Sequence, residues 1–446
     1  MKLNYKRTVF VGMAFMAICA FWQIYDSLVP KMLIKTFHLS EGMIGAGGIM
    51  ALDNVLALFM LPLFGAVSDR TNTKIGKRMP FIIGGTAASV VLMTFLPIID
   101  NAYYNEANKD LITAFIVVLA LLLIAMGTYR SPAVALMPDV TPKPLRSKGN
   151  AVINLMGAVG GILYLIVTAI MYSTSRTAGL DHVDYFPLFV IVQAVMIIST
   201  IVLFITIKEP ILVAENEAYE KAHPEDDLEE VDEKGESYIP APVKRSLYFI
   251  LLSVALWYMG YNAVNTAITK YFQVEWGMSL GAAAMCVTCA TAFAILSFIP
   301  IGELSSRIGR KKTIIAGCIV LASCFAASQV ISQVLQGFSP ILYVIFTLVG
   351  ISWAAINVNS LPMVLEMCKN SDVGTYTGLY YTFSMVAQIA TPILSGALLE
   401  YVGYWTLFPY GALFVALSAV TMTQVKHGDN KPKMPKSKLE MFEDID

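Results

Sequence analysis

The stretch PLFGAVSDRTNTKIGKR, residues 62–78, leaves an apolar run at Gly65, passes through the Asp69-Arg70 pair, and returns to apolar sequence after Lys77 and Arg78. A related stretch, IPIGELSSRIGRKK, begins at Ile299: Gly65 falls on Gly302, Ser-Asp-Arg (68–70) on Ser-Ser-Arg (305–307), and a Gly-basic-basic run follows in each. Two residues of slip separate this match from an ungapped one earlier in the chain. There a shift of 235 residues lays Trp22 on Trp257, Lys35 on Lys270, Phe37 on Phe272, Gly42 on Gly277 and Met43 on Met278. The chain reads as two diverged copies in parallel orientation, an arrangement that puts a substrate site near the midplane between halves.

Composition says what surrounds the copies. Of the 446 residues, 57% are hydrophobic and 14% charged, and the mean hydropathy is +0.65, too little polar surface to cover a soluble globule. A hydrocarbon core about 30 Å thick needs roughly 20 apolar residues per helical span. Twelve such runs are expected, near 8–29, 42–66, 79–99, 110–138, 149–172, 185–207, 245–270, 279–301, 312–334, 339–365, 375–399 and 404–425. With the N-terminus inside, 25 Lys and Arg fall in cytoplasmic segments and 5 outside (Lys31, Lys35, Lys109, Arg176, Lys270), with Arg130 inside a span. That asymmetry predicts both termini in the cytoplasm of a multi-pass cell-membrane protein. Lys2, Lys6 and Arg7 would serve a signal peptide, but Ile18 stands where a small residue should precede cleavage after Ala20, so the first span is expected to be retained.

The fold class that follows is all-α and integral to the membrane, twelve helices in two pseudo-symmetric six-helix bundles. The expected division is residues 1–207 and 245–425 for the bundles, 208–244 for a linker and 426–446 for a tail. Between Lys208 and Arg245 lie 12 acidic and 5 basic residues with few aromatics, which reads as a mobile, solvated cytoplasmic spacer or, alternatively, a docking site for a regulator. All six cysteines sit in or at the ends of spans and read as small packing residues. The four histidines fall in loops or tails, so no Ser/His, Cys/His or metal-ligand set occurs at membrane depth, and an enzyme is not expected.

The loop at 65–78 carries the G-x-x-x-D-R-x-G-R-K type signature, and the chain resembles the major facilitator superfamily over nearly its whole length. The resemblance implies a gating loop made of Gly65, Asp69, Arg70, Gly76, Lys77 and Arg78, echoed by Arg307 and Arg310. Asp69 is expected to accept hydrogen bonds from helix-terminal N–H groups and hold one state closed. Ser306 brings no charge to the matching place, so the first-half gate is expected to be the stiffer one. A narrower resemblance rests on SDRTNTKIGKRMPFI (68–82), SPAVALMPDVT (131–141), NLMGAVGGILY (154–164), NSLPMVLE (359–366) and GTYTGLYYTFSMVAQI (374–389). These are similar to sucrose and maltose proton symporters of plants and animals and, more loosely, to glycoside-pentoside-hexuronide symporters. The chain departs from them in three places. LALLLIAMG (119–127) has no acid in span four, Val134 replaces an arginine with Arg130 one turn earlier, and the sodium-binding carboxylates of melibiose-type members fall on Ala57 and Leu61.

Charges deep in a span usually mark an ion or substrate path, and there are three: Asp26, Asp53 and Arg130. One reading is a fixed Asp–Arg bridge pinning spans one, two and four. The other is a proton site, because two acids and one base cannot all be neutralised as ions and desolvation disfavours the charged carboxylate. Asp53 is the expected proton carrier and Asp26 a sugar acceptor, with the two roles exchangeable and Arg130 either a sugar ligand or the group that releases the proton. Sodium cages want several oxygens, so protons are expected to couple and no other cofactor or metal is. Trp22 and Asp26, four residues apart, share a helix face, with Trp257 and Tyr261 at corresponding places. Gln23, Asn54, Tyr258, Asn262, Asn265, Trp353, Asn357 and Asn359 complete a candidate polyol site. The leading expectation is therefore a monomeric, proton-coupled importer of a disaccharide or short glycoside, with the lipid bilayer and a sugar, not nucleic acid, as partners. An exporter of amphipathic compounds and a non-transporting sensor remain the alternatives.

Overall fold

The computed structural model describes residues 3–40, 46–50, 52–172, 180–222, 230–231, 237–276, 280–335, 340–368 and 372–429. The repeat positions Gly42, Met43, Gly277 and Met278, and the tail beyond 429, lie outside these residues. Twelve helices long and apolar enough to cross a membrane match the expected runs one for one. They are span one (Tyr5–Thr36), two (Gly48–Asp69), three (Met79–Asn105), four (Lys109–Asp139), five (Lys143–Met171), six (Phe186–Thr206), seven (Ala241–Ile268), eight (Met285–Ile308), nine (Arg310–Val334), ten (Ile341–Leu365), eleven (Val373–Tyr401) and twelve (Tyr404–Thr423).

Helix ends follow local chemistry. The Asn4 side chain accepts from Arg7 N at 3.0 Å and Asn108 from Asp110 N at 2.9 Å, each satisfying an amide that the first turn leaves unpaired. Pro80 and Pro187 occupy first-turn positions where a missing N–H does no harm. Four further prolines, Pro62, Pro132, Pro138 and Pro362, lie inside helices. Only Pro138 and Pro362 stand close to a terminus. Near the other end of span one, the last turn widens to a π-helix over Met32–Thr36, just after Pro30.

Within each half the spans bundle around a core, and the halves meet along two symmetry-related seams, span two on span eleven and span eight on span five. Glycine lets the helices come close. A Cβ on Gly160 would lie 2.2 Å from the Met16 carbonyl oxygen of span one, and one on Gly65 would lie 2.1 Å from that of Gly374 across the seam. This is the close backbone approach expected of small residues in membrane helices.

The stretch 208–244 is not wholly a solvated spacer. Glu209–Ala222 is a helix whose first residue is buried and whose Asn216 donates to the Asp139 carbonyl at 3.1 Å. Further on, Glu230–Val231 and Ser237–Tyr238 form a two-residue antiparallel ladder.

Candidate functional site

At mid-height, spans one, two, four, seven, ten and eleven bring together most of the anticipated polar and aromatic residues. The Arg130 guanidinium lies 5.4 Å from the Trp22 ring centroid and 4.9 Å from that of Tyr381, so its charge rests on two aromatic faces. Asp26 is exposed and Asp53 and Asn54 are half-buried. Both acids lie near enough to Arg130 to feel its charge. Among the described residues, however, no ion pair joins Arg130 to either carboxylate, which removes the fixed Asp–Arg bridge in this state. Asp53 instead accepts from the Asn54 backbone N–H at 2.6 Å.

The second half contributes an aromatic corner. Tyr261 stacks on Trp353 with centroids 3.8 Å apart, and Tyr258 meets the same indole edge-on at 5.3 Å. Trp257, paired with Trp22 by the repeat, is wholly buried in the second-bundle core. Its neighbour Tyr258, half-buried, takes the place on Trp353 instead. Asn359 is likewise buried, donating to the Ala355 carbonyl at 2.8 Å, and it serves its own helix. Asn357 is half-buried, and its carbonyl receives Asn150 Nδ2 at 3.1 Å. Asn262 is half-buried and Asn265 exposed, while Gln23 turns toward Gly161 of span five. Tyr381, which spacing did not single out, stands in the GTYTGLYYTF stretch quoted above. Trp22 Nε1, Tyr25 OH and Asn262 Nδ2 are buried and lack a hydrogen-bond partner in the chain.

The residues expected to form a gate lie at the end of the bundle that carries the 65–78 loop, together with the start of span one and the end of span twelve. Asp69 accepts from Gly374 N at 2.8 Å, Thr375 N at 2.7 Å and the Thr375 hydroxyl at 2.9 Å, so it caps span eleven of the opposite half. Arg78 is fully buried, donating to Asp69 at 2.5 Å and, through Nε, to Asp139 at 2.7 Å. Lys77 reaches Asp139 at 3.2 Å. Glu209, from the helix after span six, accepts from the backbone N–H of Lys77, Arg78 and Met79 at 2.8, 2.9 and 3.0 Å. Burial pushes its carboxyl up from the ordinary value, and those amides oppose the shift. Gly76 has φ +115, and a Cβ there would strike the Glu209 carboxylate.

The second half has its own network. Arg310 is buried and pairs with Glu366 of span ten, while its guanidinium crosses the seam to the Ser147 hydroxyl at 2.5 Å and the Lys143 carbonyl at 2.6 Å. Arg146 answers from the first half, donating to the Leu365 carbonyl at 3.1 Å. Ser306 turns back to its own Gly302 carbonyl at 2.9 Å. Arg70 is exposed, as is Arg307, whose nearest acid is Glu303 of the same helix at 3.4 Å. Those two belong to the basic rim, not the gate. The described cross-half bonds run from the Thr382 hydroxyl to the Leu58 carbonyl, 3.4 Å at mid-height, down to this end, which is therefore closed. Asp139, Glu209 and Glu366 escaped sequence reasoning about this end, although Asp139 stands within the MPDVT segment and Glu366 ends the PMVLE segment.

Two six-helix bundles meeting along two seams, with polar and aromatic side chains between them, define a two-bundle helical membrane protein. The family model described as Major Facilitator Superfamily matches residues 9–257 and 250–441, and the chain belongs to that superfamily. It is similar to the sucrose transport protein SUC4 of Arabidopsis thaliana, at 33% identity over 114 residues, 24% of this chain and 22% of that protein. The similarity thus spans under a quarter of that relative's length. Among solved structures, a bacterial homologue of the iron transporter ferroportin in its outward-facing state superposes with a TM-score of 0.69 at 10% identity, covering 95% of this chain and 99% of that one. The proton:xylose symporter XylE superposes with 0.67 at 14% identity, covering 96% of each chain. Identities this low speak to the fold alone.

Proposed function

We propose that the protein imports a disaccharide or short glycoside together with a proton, by alternating access across the cell membrane. The observation that carries the reading is Arg130, held between Trp22 and Tyr381 beside two carboxylates to which no ion pair binds it. Aromatic faces suit the C–H side of a sugar ring, and the unpartnered donors Trp22 Nε1, Tyr25 OH and Asn262 Nδ2 would be satisfied by its hydroxyls. Similarity to a sucrose transport protein supports a sugar over an amphipathic drug. Asp53 carries the proton, Asp26 accepts from sugar hydroxyls, and Arg130 drives proton release by approaching Asp53 when the halves rock. The Asp69 end faces the cytoplasm, with both termini, and the state described opens outward.

The test uses purified protein in proteoliposomes with a sugar panel, with a pH gradient in one arm and a sodium gradient in the other. Asp53→Asn should retain sugar exchange between equal pools and lose uphill accumulation, whereas Asp26→Asn should weaken binding itself. Single cysteines at positions 22, 261 and 357 should be protected from alkylation by the transported sugar. Uphill accumulation by Asp53→Asn, or accumulation driven by sodium alone, would refute the coupling scheme.

A further inference from the structure

Each half ends in a segment that folds back onto its own gate, and the second of these is unassigned. After span six, Glu209 returns to the amides that open span three. After span twelve, the chain turns over the start of span seven, where the Ser246 hydroxyl accepts from Lys426 N at 3.1 Å and bonds His427 Nδ1 at 2.9 Å. Lys311 closes the turn by donating to the Thr423 carbonyl at 2.8 Å. Asp429 then accepts from the backbone N–H of Arg310, the first residue of span nine. Gly428 has φ +85, and a Cβ there would lie 2.6 Å from the Met363 carbonyl oxygen of span ten. The tail therefore touches both helices that carry the buried pair, span nine for Arg310 and span ten for Glu366.

We infer that Lys426–Asp429 is the second half's clasp. Asp429 seated on the N-terminus of span nine, and Gly428 on the last turns of span ten, hold Arg310 against Glu366 and the seam, as Glu209 holds Arg78 against Asp139 and Asp69. A carboxylate at a helix N-terminus is favoured by the exposed amides and the helix dipole. It thereby fixes where Arg310 leaves the helix. Asp429 is a positioning residue for alternation: it touches no substrate, and the gate cannot part at this end while span nine and span ten are tied through the tail. The inference rests on the alternating-access reading.

A natural reporter sits in the gate. Cys368 is buried just past span ten, its thiol donating to the Leu365 carbonyl at 3.1 Å, and burial pushes that thiol up to about 12, so the closed state alkylates slowly. Cys318, in the middle of span nine, is fully buried and reports unfolding of the same bundle. Pulse alkylation of the full-length protein with N-ethylmaleimide, read by peptide mass spectrometry, follows both thiols in one sample. Asp429→Asn should speed Cys368 labelling about fivefold, the size of one helix-terminus carboxylate interaction, and Gly428→Ala, through its clash with span ten, should speed it too, each with Cys318 unchanged. Asp429→Glu should restore slow labelling. If both variants leave Cys368 at the wild-type rate while Asp69→Ala accelerates it, the clasp is wrong and the gate reading stands. Should Asp69→Ala fail as well, the alternating-access reading falls with it. Parallel acceleration of Cys368 and Cys318, or no rescue by Asp429→Glu, would reduce the tail to a structural brace and overturn the positioning role.

Discussion

Beside the buried arginine of the first half an acid, Asp69, crosses to the other half, whereas in the second half the buried arginine, Arg310, crosses itself. Asp69 keeps its bond to Arg78 and also caps span eleven, while Arg310 reaches Ser147 and Lys143 and leaves Ser306 to its own helix. Both halves keep a buried arginine on an acid from the end of the fourth span of that half, Asp139 or Glu366. The repeat therefore preserves the charge pair and lets the crossing partner change. The first half alone is not the tied one: where Ser306 brings no charge, the Arg310 guanidinium donates in several directions at once.

Removing either arginine should break the comparison most severely. Arg78→Ala takes the shared guanidinium from the buried Asp69 and Asp139, and Arg310→Ala takes one from Glu366, so each should lower stability by about 3–5 kcal/mol, the usual consequence of removing one partner of a buried pair. Thermal unfolding in detergent measures both. A mild Arg310→Ala beside a severe Arg78→Ala would show that the second network is not an equivalent of the first.

The two seams can be compared next through their glycines. Gly65→Ala would press a methyl deep into a backbone carbonyl, whereas Gly302→Ala meets the Ala151 methyl at 2.8 Å, a milder overlap. Overpacking of this kind costs about 1–3 kcal/mol, and Gly65→Ala should open the gate more, read as faster Cys368 alkylation. Equal rates would mean that the seams close independently of backbone contact.

Asp69→Ala should follow, with a loss of about 1.5–3 kcal/mol from the closed state for its charged hydrogen bonds. Sugar affinity measured in protein locked open should be unchanged, since Asp69 lies at the gate and not at mid-height. An affinity loss in both locked states would remove it from the gate. Smallest of all, Ser306→Ala and Arg70→Ala should each change unfolding by less than about 0.5 kcal/mol. A larger shift for Ser306→Ala would mean that the serine still does part of the aspartate's work.

Twelve spans and the twofold repeat were legible because a bilayer imposes a length and a polarity on each segment, and both are properties of local sequence. The loop from Gly65 to Arg78 was legible for a related reason: charged residues at fixed steps after a glycine stand out against apolar surroundings. The central site was half legible. Trp22, Asp26, Arg130 and Trp353 could be put at one depth by counting turns, but Trp257 and Tyr258 are adjacent, and which faces inward depends on how the helix is rotated against its neighbours. Packing sets that rotation. The acids at span ends were the hardest to place, because Asp139, Glu209, Glu366 and Asp429 look in sequence like ordinary solvated residues beside a membrane. Only the folding back of the linker and tail, and the meeting of the two halves, take those carboxylates out of water and set them on amides and guanidinium groups. Sequence alone determined the membrane class, the span count and the internal repeat, since these depend on short-range composition. Tertiary structure decided which charges are buried and which half each one serves, since desolvation and ion pairing depend on neighbours as much as 306 residues away in the chain.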